Sequence, residues 1–353
     1  MSTDSIEVSF LSIFVLIVFF VFLVVSKYSF KIRKGIILDQ DFSKPQAFHH
    51  SATSRSGGIA GLISLNIFYV FYYLLYAKIL YEYIFISFLM FFVGFLDDIK
   101  IKISPALRLL LMIFFLTLLI FFLPIKISNI EVPFLAPLLQ NNIFSTIFVL
   151  LCFIFIINGA NLIDGFNGLL AINLIIINII LIYINISNGN NEFSTFLIAQ
   201  IIILLSFLLF NFPNAKIFFG DSGSYLMGSL VALNSIITNN LNPNISSFFF
   251  CILLFYLFFE VFFSFFRKVF QKKSPIHPDN EHLHMLVYKR IVPIFGKVRG
   301  NYINSVIINI VYLILVLPGF YFAEDPGISR YWFFSIIAVY LFIYLRLYRL
   351  TKN

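Results

Sequence analysis

The stretch VSFLSIFVLIVFFVFLVVS at residues 8–26 contains no charged side chain and no break in its apolar run. A hydrocarbon core of about 30 Å needs roughly 20 apolar residues in helical form, so this segment is long enough to cross a bilayer. A barrel strand would instead alternate apolar and polar positions over about ten residues. Working outward, comparable runs occur at 57–76, 80–96, 106–124, 143–158, 168–187, 193–210, 224–239, 245–266, 303–322 and 331–348. Eleven spans are expected, and with them an all-α, polytopic integral membrane protein. Of the 353 residues, 61% are hydrophobic and 11% charged, which excludes a soluble domain of ordinary composition. Neither a fixed-period repeat nor a polar linker divides the chain, so residues 1–353 read as a single membrane domain.

Charge sets the orientation. Asp4 and Glu7 precede the first apolar run and its basic residues follow it, the order of a retained helix whose N-terminus is outside. Eleven spans then put the C-terminus in the cytoplasm. This arrangement collects 21 of the 24 Lys and Arg on the inner side, leaving Lys78, Lys126 and Arg330 outside. The net charge of +8 is thereby explained by topology and by anionic lipid headgroups, with no nucleic-acid partner implied. Cys152 and Cys251 both lie in apolar spans and form neither a disulfide framework nor a CxxC motif.

The polar residues are unevenly placed. All five His (49, 50, 277, 282 and 284) and the acids Asp39, Asp41, Asp97, Asp98, Asp164, Asp221 and Asp279 fall on the inner side. Asp97 and Asp98 end an apolar run in GFLDDIKIK, and adjacent carboxylates repel unless a cation or protons lie between them. Asp221, in KIFFGDSGSYLMG, reads either as a cap for the next helix or as part of a site. In the second case Gly220 and Gly223 would let backbone approach a ligand at a helix N-terminus. In NGANLIDGFNGL, residues Asn158, Asn161, Asp164 and Asn167 recur every three positions, roughly one helical face, and such a stripe is tolerable beside hydrocarbon only if it faces a polar cavity. SPIHPDNEHLHMLVYKR is either a solvated basic loop or a phosphate-binding one. Glu260, inside a span, either snorkels, pairs with a neighbouring base such as Arg267, or serves function.

Carboxylates and amides thus return repeatedly to one side of the membrane. Hard oxygen ligands of this kind suit Mg²⁺ or Mn²⁺, which bind through one or two carboxylates plus substrate phosphates. Phosphoryl transfer is the chemistry that needs them. A transporter or flippase of lipid-linked sugars is the rival from another class, but it should hold its ionisable groups near the midplane.

In order, the pieces KPQAFHHSATSRSGG, GFLDDIKIKISPALR, NGANLIDGFNGL, FFGDSGS and SPIHPDNEHLH resemble the polyprenyl-phosphate N-acetylhexosamine-1-phosphate transferases, the superfamily of WecA-like and MraY-like enzymes. The resemblance implies transfer of a sugar 1-phosphate from a UDP-sugar to undecaprenyl phosphate, releasing UMP, at a site facing the cytoplasm of a bacterial inner membrane. It implies Mg²⁺ (or Mn²⁺) on Asp221, and Asp97 and Asp98 at the lipid phosphate with one of them a base. It further implies Asn161, Asp164, Asn211 and Phe218 near the nucleotide, Thr53, Arg55 and Arg108 as supporting contacts, and His282 and His284 at the diphosphate. A homodimer is compatible with these expectations. Ile101 stands where the WecA-like pattern often has a third acid, and Leu283 separates histidines that are adjacent in the MraY-like branch. The reading favours an enzyme initiating surface polysaccharide or O-antigen over the phospho-MurNAc-pentapeptide transferase of peptidoglycan synthesis.

Overall fold

A computed structural model of the chain describes residues 3–29, 37–39, 52–101, 103–123, 125–275 and 279–352. Residues 44–51 of the first motif, with His49 and His50, lie outside the described residues, as do Asp41, Lys102 and His277. Thirteen helices and two short strands follow in order: α1 (Thr3–Tyr28), β1 (Leu38–Asp39), β2 (Thr53–Ser54), α2 (Gly57–Tyr76), α3 (Tyr81–Asp98), α4 (Pro105–Phe122), α5 (Leu135–Leu139), α6 (Asn142–Ile163), α7 (Leu169–Ser187), α8 (Asn191–Asn211), α9 (Gly220–Leu241), α10 (Ser247–Leu253), α11 (Phe255–Phe270), α12 (Leu283–Tyr321) and α13 (Pro326–Lys352).

Local chemistry sets several helix starts. Ser104 accepts from Leu107 N with Pro105 at the first helical position of α4, and Asn141 accepts from Ile143 N and Phe144 N at the start of α6. Each of the eleven apolar stretches is helical over most of its length. Among the described residues eight helices are long and apolar enough to cross a membrane, and nine if α10 and α11 form one span. The expected span 245–266 is not continuous, because α10 and α11 meet at 75° around Leu254. The expected span 303–322 is the C-terminal part of a longer helix, α12, kinked at Gly296 (φ 75°). Of the remaining long helices, α3 carries the three acids Glu82, Asp97 and Asp98, and α9, rich in Gly, Ser and Asn, is less apolar and lies at the centre of the bundle.

Nearly every residue of α9 is buried, and it packs against α2, α3, α6 and α7. Its Gly and Ser side allows close backbone approach, the packing that membrane helices use in place of a hydrophobic drive. A Cβ at Gly94 of α3 would overlap the Asp221 carbonyl, and one at Gly58 of α2 would overlap the Ser222 side chain. Further along α9 the amide of Asn234 bonds Gln200 Oε1 at 2.8 Å and Asn178 Oδ1 at 3.1 Å, while Tyr83 Oη donates to Asn234 Oδ1 at 2.8 Å. Asn234 is thus paired with polar groups of three neighbouring helices inside the bundle. Apolar side chains of α1 and α13, such as Leu16 and Phe342, point outward as a lipid-facing surface requires.

At the end where α3 finishes and α9 begins, strand β2 pairs antiparallel with β1 and bridges in parallel to Ile217. Phe218 N donates to Ser54 O at 2.8 Å, and Gly57 N and Gly58 N donate to Phe218 O and Phe219 O, each at 2.9 Å. This small patch fastens the first loop to the start of α9.

The Gly94 contact yields a stability test. Gly94→Ala is expected to lower the detergent melting temperature through overpacking worth about 1–3 kcal/mol. Gly165→Ala, whose Cβ would meet open space, should leave it unchanged. Equal melting temperatures for the two variants would contradict this packing of α3 on α9.

Candidate active site

Five separate segments converge where α3 ends and α9 begins. Asp97 and Asp98 are the last residues of α3, Asp221 lies in the first turn of α9, and Arg108 in the first turn of α4. Arg55 precedes α2, and Asp164 caps the C-terminus of α6.

The two adjacent acids do different things. Asp98 is 1% exposed. Its Oδ1 accepts from Asp221 N at 3.0 Å, and its Oδ2 accepts from Ser222 N at 2.9 Å and Ser222 Oγ at 2.6 Å. The N-terminus of α9, which has no side-chain cap of its own, is capped by a carboxylate from another helix. Both the unpaired N–H groups and the helix dipole favour negative charge there. Gly220, at φ 73°, makes room for it, since a Cβ would come within 2.5 Å of Asp98 Oδ2. The glycine expected to admit a ligand therefore admits the chain's own carboxylate.

Asp97 turns toward the guanidiniums. Its Oδ1 is 3.4 Å from Arg108 Nη1 and its Oδ2 is 3.7 Å from Arg55 Nη1. Arg108 also donates to Asp221 Oδ2 in a short hydrogen bond. Arg55 donates to Asp39 Oδ2 from Nη2 at 2.7 Å and from Nε at 3.1 Å. Burial works against the Arg55 charge, but Asp221, Asp39 and Asp98 outweigh it and hold its pKa above the ordinary arginine value. Asp39 had no motif around it to mark it in the sequence; β1 brings it here.

On α6, Asn161 Nδ2 donates to Ser224 Oγ at 2.9 Å, and Ser224 Oγ donates to Asp221 O at 3.2 Å. Asp164 follows the last residue of that helix. Loss of water around it and the nearby Asp221 and Asp98 carboxylates push its pKa well up, with Arg55 pulling the other way. The four polar residues spaced by three are not one helical face, because α6 stops at Ile163. Asn167 lies beyond, where its backbone N–H donates to Asn301 Oδ1 at 2.8 Å.

Other expected nucleotide contacts act as braces in this structure. Asn211 Oδ1 accepts from Gly168 N at 2.7 Å and its Nδ2 donates to Ile217 O at 2.9 Å, joining the α6–α7 turn to the approach to α9. Thr53 is buried in β2, and the Phe218 backbone is engaged on both sides by the first loop.

His282 and His284 form a second cluster. Both are buried, not displayed on a solvated basic loop. His282 Nδ1 is 3.2 Å from Glu260 Oε2, and its Nε2 is 3.3 Å from Asp279 Oδ1. Glu260 pairs with this ring and accepts from Tyr340 Oη at 2.8 Å, whereas Arg267 pairs with Asp279 at 2.6 Å. Burial raises the Asp279 pKa, but His282, Arg267, Lys268 and the Glu281 N–H outweigh that and leave it below the ordinary carboxylate value. The ring of Phe166, two residues past Asp164, meets His284 edge-on at 5.7 Å and links the two clusters.

Among the described residues, the first cluster sets the carboxylates of Asp39, Asp97, Asp98, Asp164 and Asp221 against Arg55 and Arg108. So many carboxylates are tolerated together only with a proton among them, which the raised Asp164 pKa favours, or with a cation, and a divalent cation suits the rest. No three His, Cys, Asp or Glu among the described residues form a ready-made metal cage. An open donor set of this type fits Mg²⁺, which keeps water and substrate phosphates among its ligands.

Residues 80–239 match the family described as glycosyl transferase family 4. Over 233 residues the chain is 33% identical to the phospho-N-acetylmuramoyl-pentapeptide-transferase of Dictyoglomus turgidum, covering 63% of this chain and 72% of that relative. The chain belongs to glycosyl transferase family 4. It is also 29% identical over 148 residues to the undecaprenyl-phosphate alpha-N-acetylglucosaminyl 1-phosphate transferase of Thermotoga maritima, covering 41% of this chain and 44% of the relative. With the phospho-N-acetylmuramoyl-pentapeptide-transferase of Clostridioides difficile it shares 31% identity over 199 residues, or 53% and 62% of the two chains. The chain thus matches roughly half the length of these last two relatives. The family match spans α3 to α9 and so includes every acid of the first cluster except Asp39; the histidine cluster lies beyond it.

The division of labour between the acids is testable. Asp98→Asn replaces an acceptor of three buried hydrogen bonds and should cost about 1–3 kcal/mol of stability. Asp221→Asn should keep its melting temperature close to that of the unsubstituted protein while losing turnover, since it removes one charge from an over-acidic cluster. Thermal unfolding in detergent alongside activity would refute this if Asp221→Asn proved the less stable of the two.

Proposed function

We propose that the chain transfers a sugar 1-phosphate from a UDP-sugar to undecaprenyl phosphate. A phosphate oxygen of the lipid attacks the sugar-bearing phosphorus, the bond from that phosphorus to the bridging oxygen breaks, and UMP departs with the electron pair. The observation that supports this most is the meeting of Asp97, Asp221, Arg55 and Arg108 from separate segments at one end of an apolar bundle.

Each residue has a role consistent with its geometry. Asp221 would hold Mg²⁺, with Mn²⁺ as a substitute; when bound, the ion neutralises phosphate oxygens as charge builds on the leaving group. Asp98, engaged by three donors, fixes Asp221 in place. Asp97, which is partly exposed, is the better placed of the pair to orient the lipid phosphate or take its proton. Arg55 and Arg108 supply the fixed positive charge that phosphoryl transfer requires. Asn161, bonded to Ser224, and Asp164, near Asp221 and Asp98, border the same cluster and suit the nucleotide side of the donor.

An apolar cavity of about 420 Å³ supports a long hydrocarbon acceptor. It lies between α6, the later part of α9, the broken α10–α11 pair and the segment from Ile127 to Leu135, with Phe148, Cys152, Ala232, Phe250 and Phe258 in its wall. It is toward the end of α9 remote from the acids, so it would take the distal part of such a chain and not its phosphate. The acids sit at a helix end, away from the midplane expected of a transporter's ion site. By the positive-inside rule that end faces the cytoplasm of a bacterial inner membrane. Initiation of a surface polysaccharide or O-antigen is the pathway proposed; the peptidoglycan reaction is the second reading, favoured by the names of the Dictyoglomus and Clostridioides relatives.

Purified protein given undecaprenyl phosphate and a panel of UDP-sugars, including UDP-N-acetylglucosamine and UDP-MurNAc-pentapeptide, should release UMP only with both lipid and Mg²⁺ present. Chelation should abolish release and added Mg²⁺ restore it. Failure with every donor by well-folded protein would remove the proposal, and the donor accepted decides between the pathways. Ala232→Phe should raise KM for undecaprenyl phosphate several-fold and leave KM for the UDP-sugar unchanged. A shift in the donor KM instead would place the lipid elsewhere.

A further inference from the structure

The histidine cluster is built from α11, the loop after it, α12 and, less expectedly, the last helix. Glu260 of α11 places one carboxylate oxygen 3.2 Å from His282 Nδ1, and its other oxygen accepts from Leu283 N at 3.0 Å and from Tyr340 Oη at 2.8 Å. Asp279 meets the opposite ring nitrogen, Nε2, at 3.3 Å. A ring with a carboxylate at each nitrogen is satisfied only when both nitrogens donate, which is the imidazolium form. Arg267 binds the far oxygen of Asp279 at 2.6 Å and donates to Tyr344 Oη at 2.6 Å, while Tyr344 Oη donates to Glu281 O at 3.0 Å. Two tyrosines one turn apart on α13 therefore reach both carboxylate arms of the clamp.

His284 is held in a different way. Its ring lies parallel to that of His282, with centroids 5.6 Å apart and planes 6° apart. Its Nδ1 is 3.1 Å from Tyr256 Oη. Its Nε2 is buried and has no hydrogen-bond partner among the described residues. Buried polar atoms in folded proteins are rarely left unpaired, so this nitrogen awaits a ligand or a water.

We propose that Glu260, Asp279, Tyr340 and Tyr344 are positioning residues that clamp His282, and that His282 in turn orients His284, whose Nε2 alone of the four ring nitrogens is left for the donor diphosphate. The two histidines have separate roles, His282 as a fixed cation inside the scaffold and His284 as the ligand contact. The last helix, otherwise a lipid-facing span, takes part in donor binding through its tyrosines. This rests on the transferase reading.

Two measurements test it. In the first, Glu260→Gln should raise KM for the UDP-sugar at least about tenfold and leave KM for undecaprenyl phosphate unchanged. Glu260→Asp should recover part of the loss, and Tyr340→Phe should show the same selective effect at smaller size. Because Tyr340 acts through Glu260, the double variant should be no worse than Glu260→Gln alone. A purely structural role would move both Michaelis constants and the melting temperature together, and that result, or an unchanged donor KM in Glu260→Gln, overturns the proposal. If Glu260→Gln fails to fold, Tyr340→Phe carries the same comparison.

The second measurement does not need turnover. ¹⁵N-histidine spectra of the full chain, with His282 assigned by substitution, should show both His282 nitrogens protonated in the unsubstituted protein and one proton lost in Glu260→Gln, or in Tyr340→Phe a weakened pair. A neutral His282 ring overturns the clamp. A protonated ring in a protein that transfers no sugar phosphate would instead keep the clamp and remove the transferase reading.

Discussion

A carboxylate at the end of α3 closes the N-terminus of α9, and the rest of the acidic centre is arranged around that contact. The helix presents unpaired N–H groups and a positive dipole end. Asp98 answers both, and in doing so fixes the distance between α3 and α9 at the point where Asp97 and Asp221 share the Arg108 guanidinium. Gly220, Gly94 and Gly58 are the absences of side chain that let the backbones come this near. Arg55 then arrives on the β2 patch and Arg108 on the first turn of α4, drawn to the surplus of carboxylates.

The fold was readable because lipid imposes so few solutions: backbone groups must be paired within a helix, so apolar runs of sufficient length become helices. The break in the ninth stretch was not readable. FFFCILLFYLFFEVFF has no proline or glycine to signal a bend, and its 75° turn at Leu254 falls where Tyr312 Oη, from a distant helix, donates to the Leu253 carbonyl. The end of α6 was likewise hidden, since the spacing of Asn158, Asn161, Asp164 and Asn167 continues smoothly through Ile163 while the helix does not.

For the site, the acids announced themselves by cost, because a carboxylate beside hydrocarbon must have a reason. What adjacency could not reveal was that Asp97 and Asp98 point to different partners, as successive residues on a helix do when each is about 100° from the last. Asp39 counted only as one more inner-side acid, for want of a motif to place it in the site. Tyr340 and Tyr344 were invisible for the opposite reason: aromatic residues at helical spacing in an apolar span look like any lipid-facing stripe. Glu260 drew notice as a buried acid, yet its partner is His282, reached through a loop whose path the sequence did not disclose.

The burial of α9 also bears on how the chain is made. This helix is too rich in Gly, Ser and Asn to rank with the apolar spans, so it would partition poorly into lipid on its own. The helices it packs against most, α2, α3, α6 and α7, all precede it in the chain. A ribosome therefore makes the polar groups that pair with its Asn234, those of Asn178 and Gln200, before α9 itself emerges. Order of synthesis would then stand in for hydrophobicity in seating the central helix.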